Sequence, residues 1–123
     1  MYSFTDDTPI FIQLSRQLKE DIFQGIYAED TPLPSTTELS VTLHLNPQTV
    51  LKAVNLLADE DLVEKRRGIG MFVKAGARER ITQERKERFA RDYVIPLLRE
   101  AEKLSLNSDE IIRMIEKGKT DET

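Results

Sequence analysis

Two short stretches concentrate the side chains that can form directed polar contacts. They are Asn46-Pro47-Gln48-Thr49 with Lys52 just beyond, and Lys65-Arg66-Arg67-Gly68-Ile69-Gly70. A Gln or Asn amide can pair with the edge of adenine, and a Lys ammonium with guanine or a phosphate. Arginines beside glycines can reach phosphates or a minor groove. The chemistry on offer is hydrogen bonding and charge pairing to a polyanion. Bond-making chemistry has little to work with. The chain has no cysteine and a single histidine, His44. Disulfides and thiolate metal sites are therefore excluded, and most histidine metal sites and triads with them. There is no P-loop, no Gly-x-Gly-x-x-Gly string and no His placed with a carboxylate and a nucleophile. An enzyme is set aside, and neither a cofactor nor a metal is expected.

The elements that must position these residues follow from caps and periodicity. Ser35-Thr36-Thr37-Glu38 is a capping box that opens a short helix through Leu39 and Leu43. Asn46 caps the next helix and Pro47 is its first residue. Two helices joined by three or four residues form a helix-turn-helix connection, with His44 filling the turn. At about 100° per residue, Val50, Ala53, Val54 and Leu57 point inward on the second helix. Gln48, Lys52, Asn55 and Asp59 point outward, with Thr49 at the boundary. Leu62 to Lys65 and Met71 to Lys74 read as two strands of a hairpin, whose Gly68 and Gly70 permit the positive backbone angles of a tight turn.

Upstream, Thr8 is expected to cap a helix with Pro9 at its first position, its apolar stripe running through Ile10, Phe11, Leu14, Leu18, Ile22 and Phe23. Gly25 ends that helix. Ile26 to Pro34 reads as a loop with at most a short strand near Thr31 to Leu33. Downstream, Lys74 to Ala77 reads as a hinge. A charged helix from Arg78 to about Leu104 follows, with a kink expected at Pro96. Asn107 or Ser108 caps a last helix, which Gly118 follows. Phe89, Tyr93, Val94, Leu97, Leu98, Ala101 and Leu104 form one apolar stripe, and Ile111, Ile112 and Ile115 another. Two such helices have too little to pack on within one chain, so these residues are the candidate dimerisation surface.

At 123 residues with 39% hydrophobic and 33% charged content, the chain fits one small domain with an appendage. The net charge of −4 runs against the basic excess usual in DNA-binding domains. Residues 1–77 hold seven Lys/Arg against eleven Asp/Glu, and residues 78–123 hold eleven of each. Positive charge must therefore act locally, and Lys65-Arg66-Arg67 is the one cluster in the first part. No apolar run approaches a membrane span and the first residues lack a basic signal-peptide start, so the expectation is a cytoplasmic protein without a membrane partner.

Pro9-Ile10-Phe11-Ile12-Gln13-Leu14, Leu33-Pro34-Ser35-Thr36-Thr37-Glu38-Leu39, Thr49-Val50-Leu51-Lys52-Ala53 and Gly68-Ile69-Gly70-Met71-Phe72-Val73 together resemble the DNA-binding domain of GntR-type bacterial transcription regulators. Asn46-Pro47-Gln48-Thr49-Val50 and the short two-helix tail are most similar to the YtrA subgroup. The resemblance implies operator binding as a dimer, usually to repress. It implies that Ser35 and the helix start behind it touch phosphates, that Asn46, Gln48 and Thr49 sit at the groove end of the recognition helix, and that Arg67 and Gly68 reach a minor groove. Lys52 joins them from the helical wheel. The candidate DNA-contacting set is Ser35, Thr36, Thr37, Asn46, Pro47, Gln48, Thr49, Lys52, Arg66, Arg67 and Gly68. Thr37 and Pro47 stand where the broader family has arginines, and His44 and Asp61 where it has glycines. An operator read through adenine contacts, backbone fit and the wing is then expected. About 46 residues follow the hinge, too few for a separate effector domain. A small-molecule effector would have to bind at the dimer interface or the hinge.

The expected fold is α+β and mostly helical: a winged helix-turn-helix over residues 1–74, a two-helix dimerisation segment over 78–118 and a disordered tail over 119–123. The expected function is a dimeric transcription regulator, a repressor, that binds an inverted-repeat operator through recognition helix 47–59 and a basic wing at 65–70. The alternative is a winged-helix module that pairs with protein and never touches DNA, which the acidic balance and the missing arginines favour. Salt separates the two, because phosphate contacts weaken steeply with ionic strength and apolar contacts do not.

Overall fold

The computed structural model describes residues 2–121. It divides into two compact units, Met1–Gln83 and Glu84–Thr123.

In the first unit, helix α1 spans Ile10–Phe23, α2 Thr36–Leu43 and α3 Pro47–Asp59. Strands β1 (Val63–Arg66) and β2 (Gly70–Val73) follow, and then the start of α4 (Ala77–Phe89). Helix α1 begins one residue later than its sequence suggests. Pro9 occupies the cap position and its carbonyl accepts from Ile12 and Gln13, while Thr8 does not cap. The Gln13 side chain closes this end instead, donating to the carbonyls of Thr8 (2.5 Å) and Thr5 (2.8 Å) and accepting from the Thr5 N–H (2.8 Å). The α2 capping box forms as read, with Ser35 Oγ accepting from Glu38 N–H at 3.0 Å and Glu38 Oε1 accepting from Ser35 N–H at 3.2 Å. His44 takes the left-handed C-cap position at φ 56°, and Asn46 Oδ1 accepts from Gln48 N–H at 2.8 Å to start α3.

Leu14, Leu18 and Ile22 of α1, Leu39 of α2 and Val50, Ala53, Val54 and Leu57 of α3 form one buried core with Leu62, Val63 and Val73. Helices α1 and α2 both pack on α3 and hold it from behind. The strands pair antiparallel with Val63 opposite Val73 and Arg66 opposite Gly70. Both lie one residue away from the positions expected, because the Arg66 carbonyl accepts from Ile69 N–H at 3.1 Å and closes the turn over residues 67–69. The short strand expected near Thr31 is present as a single bridge, Pro32 opposite Phe72, that covers the outer edge of β2.

A polar network sits beside α1. The Tyr2 hydroxyl donates to Asp21, which is buried and also accepts from the Gln17 amide at 3.2 Å. Burial, then the hydrogen bond to Asp21, pushes the Tyr2 phenol well above its ordinary value of 10.0. A phenol whose pKa is higher folded than unfolded contributes stability that is complete below about pH 10 and declines as pH rises past it. Tyr2→Phe should therefore lose less melting temperature than wild type between about pH 9.5 and about pH 11, around the free-phenol pKa; parallel curves would show that the phenol is not coupled to folding.

Two expectations are corrected after the wing. The segment ahead of α4 is no loose hinge, since Lys74 N–H donates to the Leu62 carbonyl at 2.9 Å and Ala77 N–H to that of Lys74 at 3.1 Å. Ala77 and Ile81 belong to the first unit's core, so its boundary lies at Gln83 and not at residue 74.

The second unit holds the end of α4, a π-helical turn (Ala90–Val94), α5 (Ile95–Lys103) and α6 (Ser108–Asp121). The disturbance expected at Pro96 takes the form of that π turn. Ile95 N–H reaches back five residues to Ala90, and Pro96, with no N–H of its own, enters the next helix near its start. Asn107 caps α6, accepting from Glu110 N–H at 2.8 Å and donating its own N–H to Glu110 Oε1 at 3.1 Å. The tail expected to be disordered from residue 119 is helical through Asp121, and residues 122 and 123 lie outside the described residues. Among the described residues of this unit only Ala101 is a buried hydrophobic. No helix of the described residues is long and apolar enough to cross a membrane.

Candidate nucleic-acid interface

The α2–turn–α3 pair and the hairpin border one groove. Ser35, Thr36 and Thr37 at the start of α2, Leu51 and Asn55 on α3, and Lys65, Gly70 and Met71 of the hairpin line it. The α2 capping box takes up the Glu38 amide, which leaves the N–H groups of Thr36 and Thr37 directed out of the positive end of the helix, suited to an anion. Ser35 and Thr37 are exposed and Thr36 is half-buried.

On α3 the inward side is closed by Val50, Ala53, Val54 and Leu57, which turns Gln48, Lys52 and Asn55 out to solvent in a row one turn apart. Asn46 and Pro47 are exposed ahead of them and Thr49 is half-buried. The Asn46 side chain is committed to the cap, so Gln48 is the first amide of the helix turned outward. The Lys52 Nζ lies 5.6 Å from the centre of the Phe11 ring on α1, a cation–π contact at an exposed site. Asp59 follows on the same outward side. Its carboxylate would repel a phosphate backbone, which confines an anionic partner to the first three turns of the helix.

The two wing arginines have different environments. Arg66 lies on the face of the hairpin, 4.1 Å from the centre of the Phe72 ring, 3.2 Å from Glu64 and 3.6 Å from Asp30. Its charge is met by two carboxylates, which weakens its claim as a DNA contact. Arg67 and Gly68 stand exposed at the tip. Gly68 has φ 79°, a left-handed turn position that an L side chain would strain. The exposed cations of α3 and the wing are thus Lys52, Lys65 and Arg67, on a protein whose net charge is −4.

Asn55 and Lys65 belong to this surface beside the residues singled out from sequence. Asn55 was visible on the helical wheel as an outward amide, and Lys65 as part of the basic cluster. What sequence could not supply was that both line the same groove as Ser35 to Thr37.

In the second unit, Phe89, Tyr93, Val94, Leu97, Leu98, Leu104, Ile112 and Ile115 are exposed in the single chain, Ile111 is half-buried and Ala101 buried. Leu97, Ala101, Leu104, Leu106, Ile111, Met114 and Ile115 line an apolar groove between α5 and α6. Among the described residues no group of three or more His, Cys, Asp or Glu side chains is placed to hold a metal.

Residues 12–73 match the family of bacterial regulatory proteins designated gntR. Over 76 residues the chain is 36% identical to the HTH-type transcriptional repressor YtrA of Bacillus subtilis, a match that takes in 62% of this chain and 58% of that protein. The chain thus spans somewhat more than half the length of that relative. A crystal structure of a GntR-family transcriptional regulator from Bacteroides thetaiotaomicron superposes with a TM-score of 0.74 at 30% identity, over 93% of this chain and 99% of the other. YtrA from Sulfolobus acidocaldarius, described as a GntR-family transcription factor, superposes with a TM-score of 0.56 at 27% identity, over 98% and 97% of the two chains.

Proposed function

The chain belongs to the GntR family of bacterial regulatory proteins, and from that premise we propose that it is a dimeric transcriptional repressor that binds an inverted-repeat operator. The observation that carries this reading is the outward row Gln48, Lys52 and Asn55 on α3, of which Asn55 shares a groove with the open start of α2 and with Lys65 of the wing. Gln48 and Asn55 read adenine edges in a major groove, and Lys52 contacts guanine or a phosphate. Ser35, Thr36 and Thr37 position the protein on the backbone, and Arg67 enters the adjoining minor groove. Two copies joined through α5 and α6 put two recognition helices in successive major grooves, about 34 Å apart.

Binding selection on genomic fragments at two salt concentrations tests this. One enriched inverted repeat, bound more weakly at the higher salt, is the expected result. No enrichment at low salt would instead favour a protein-pairing module, which the acidic charge allows. On the selected site, Gln48→Ala should relax preference at one base pair by about 1–3 kcal/mol. Arg67→Ala should weaken all sequences alike and lower the salt slope by about one. Unchanged affinity and preference in Gln48→Ala would refute this assignment of the recognition helix.

A further inference from the structure

Helix α3 buries Val50, Ala53, Val54 and Leu57 on its inward side, and one large apolar residue does not follow them. Leu51 is 42% exposed and takes no part in the buried core. It stands three residues after Gln48 and four before Asn55, both exposed. Both spacings make neighbours on a helix surface, so an apolar side chain lies between two outward amides. Leu51 also lines the groove that holds Thr36, Thr37, Asn55 and Lys65. A leucine in that place offers a partner no hydrogen bond and no charge. It offers a surface on which another apolar group can leave water.

The major groove of DNA displays one group suited to that surface, the 5-methyl of thymine. An A·T pair presents adenine N6 and N7 to an amide and, from the opposite strand, the thymine methyl in the same groove. An amide and an adjacent leucine on one helix can therefore read both halves of such a pair, or two pairs in succession. We propose that Leu51 is a specificity-determining residue: its side chain packs on the 5-methyl group of a thymine in each half-site, beside an adenine read by Gln48 or Asn55. The proposal rests on the operator reading above and deepens it. It concerns a single half-site and a single DNA-reading unit.

Deoxyuridine lacks only that methyl and keeps the pairing and the O4 acceptor of thymine. The experiment replaces each thymine of the selected half-site in turn by deoxyuridine. Full-length wild type, Leu51→Ala and Leu51→Met are then titrated on these single-half-site duplexes. Wild type should lose about fourfold in affinity at one thymine, the effect of withdrawing one methyl from an apolar contact. Leu51→Ala should bind the unmodified duplex at least about fourfold more weakly and lose nothing further when that thymine becomes deoxyuridine. Leu51→Met, apolar and of similar volume, should retain most of the methyl effect. Thermal melts of both variants should stay within about 3 °C of wild type, as befits an exposed position.

Absence of a deoxyuridine effect at every thymine overturns the proposal, as does a selected half-site without an A·T pair. A methyl effect that persists undiminished in Leu51→Ala assigns the thymine to another side chain and overturns it too. All three results leave operator binding standing. A wild type that prefers no half-site over unrelated DNA overturns the operator reading itself, and the role of Leu51 with it.

Discussion

Leu97→Asp is expected to turn the protein into a monomer and to lower its affinity for paired half-sites on the order of 100-fold, while single half-site binding stays within about twofold. Leu97 is 45% exposed in the single chain and lines the apolar groove of α5 and α6. Phe89, Tyr93, Leu98, Ile112 and Ile115 leave further apolar surface uncovered in the same unit. Burying one leucine side chain is worth about 1.5–3 kcal/mol, and a two-fold interface counts each substitution twice. An aspartate there forfeits that burial and adds the cost of desolvating two carboxylates without partners. Dimerisation should therefore fail at micromolar protein, and with it the gain in affinity from linking two DNA contacts. Sedimentation of the purified variant beside gel-shift titrations on one and two half-sites reads both effects. A variant that remains dimeric would take the assignment of the interface away from α5 and α6.

Leu57→Ala should give the largest loss of stability, about 2–5 kcal/mol. Leu57 is fully buried on the inward side of α3, within the core that α1 and the hairpin share. Removing most of its side chain leaves a cavity that three elements surround and cannot readily close. Small domains hold only about 5–15 kcal/mol in total, so the urea midpoint should fall markedly and the melting temperature by at least about 10 °C. The candidate DNA-contacting residues are untouched by this change. Affinity per folded molecule should be unaltered in the cold, with binding lost on warming as the folded fraction falls. A loss below about 1 kcal/mol would mean that the site collapses around the smaller residue, and that the core behind the recognition helix is looser than its burial implies.

Much of this architecture was legible because it is local. A cap and its amide lie two or three residues apart, so Ser35 with Glu38 and Asn46 with Gln48 identified both helix starts. The outward row of α3 follows from helical period alone, once Val50, Ala53, Val54 and Leu57 define the inward side. Gly68 and Gly70 marked the wing, since each stands at a positive φ that a β-branched or bulky residue would resist. Thr8 misled for a related reason. It is a good capping residue, but the cap position falls to Pro9, and the Thr8 carbonyl is taken up by the Gln13 side-chain amide from within the helix.

The sequence by itself determined which helices form, which side of α3 faces outward and where the wing turns, because each depends on contacts within about one helical turn or one hairpin. The tertiary structure alone decided the surroundings of the charged groups at the candidate interface. Arg66 pairs with Asp30 as well as with its neighbour Glu64, Lys52 lies near the Phe11 ring of another helix, and the Glu29 carboxylate accepts from an N–H 47 residues further on. It also decided that Ala77 and Ile81 belong to the first unit and not to the tail. Those pairings join residues far apart in the chain, and side-chain type and spacing carry no record of which distant partner the packed core will bring within reach.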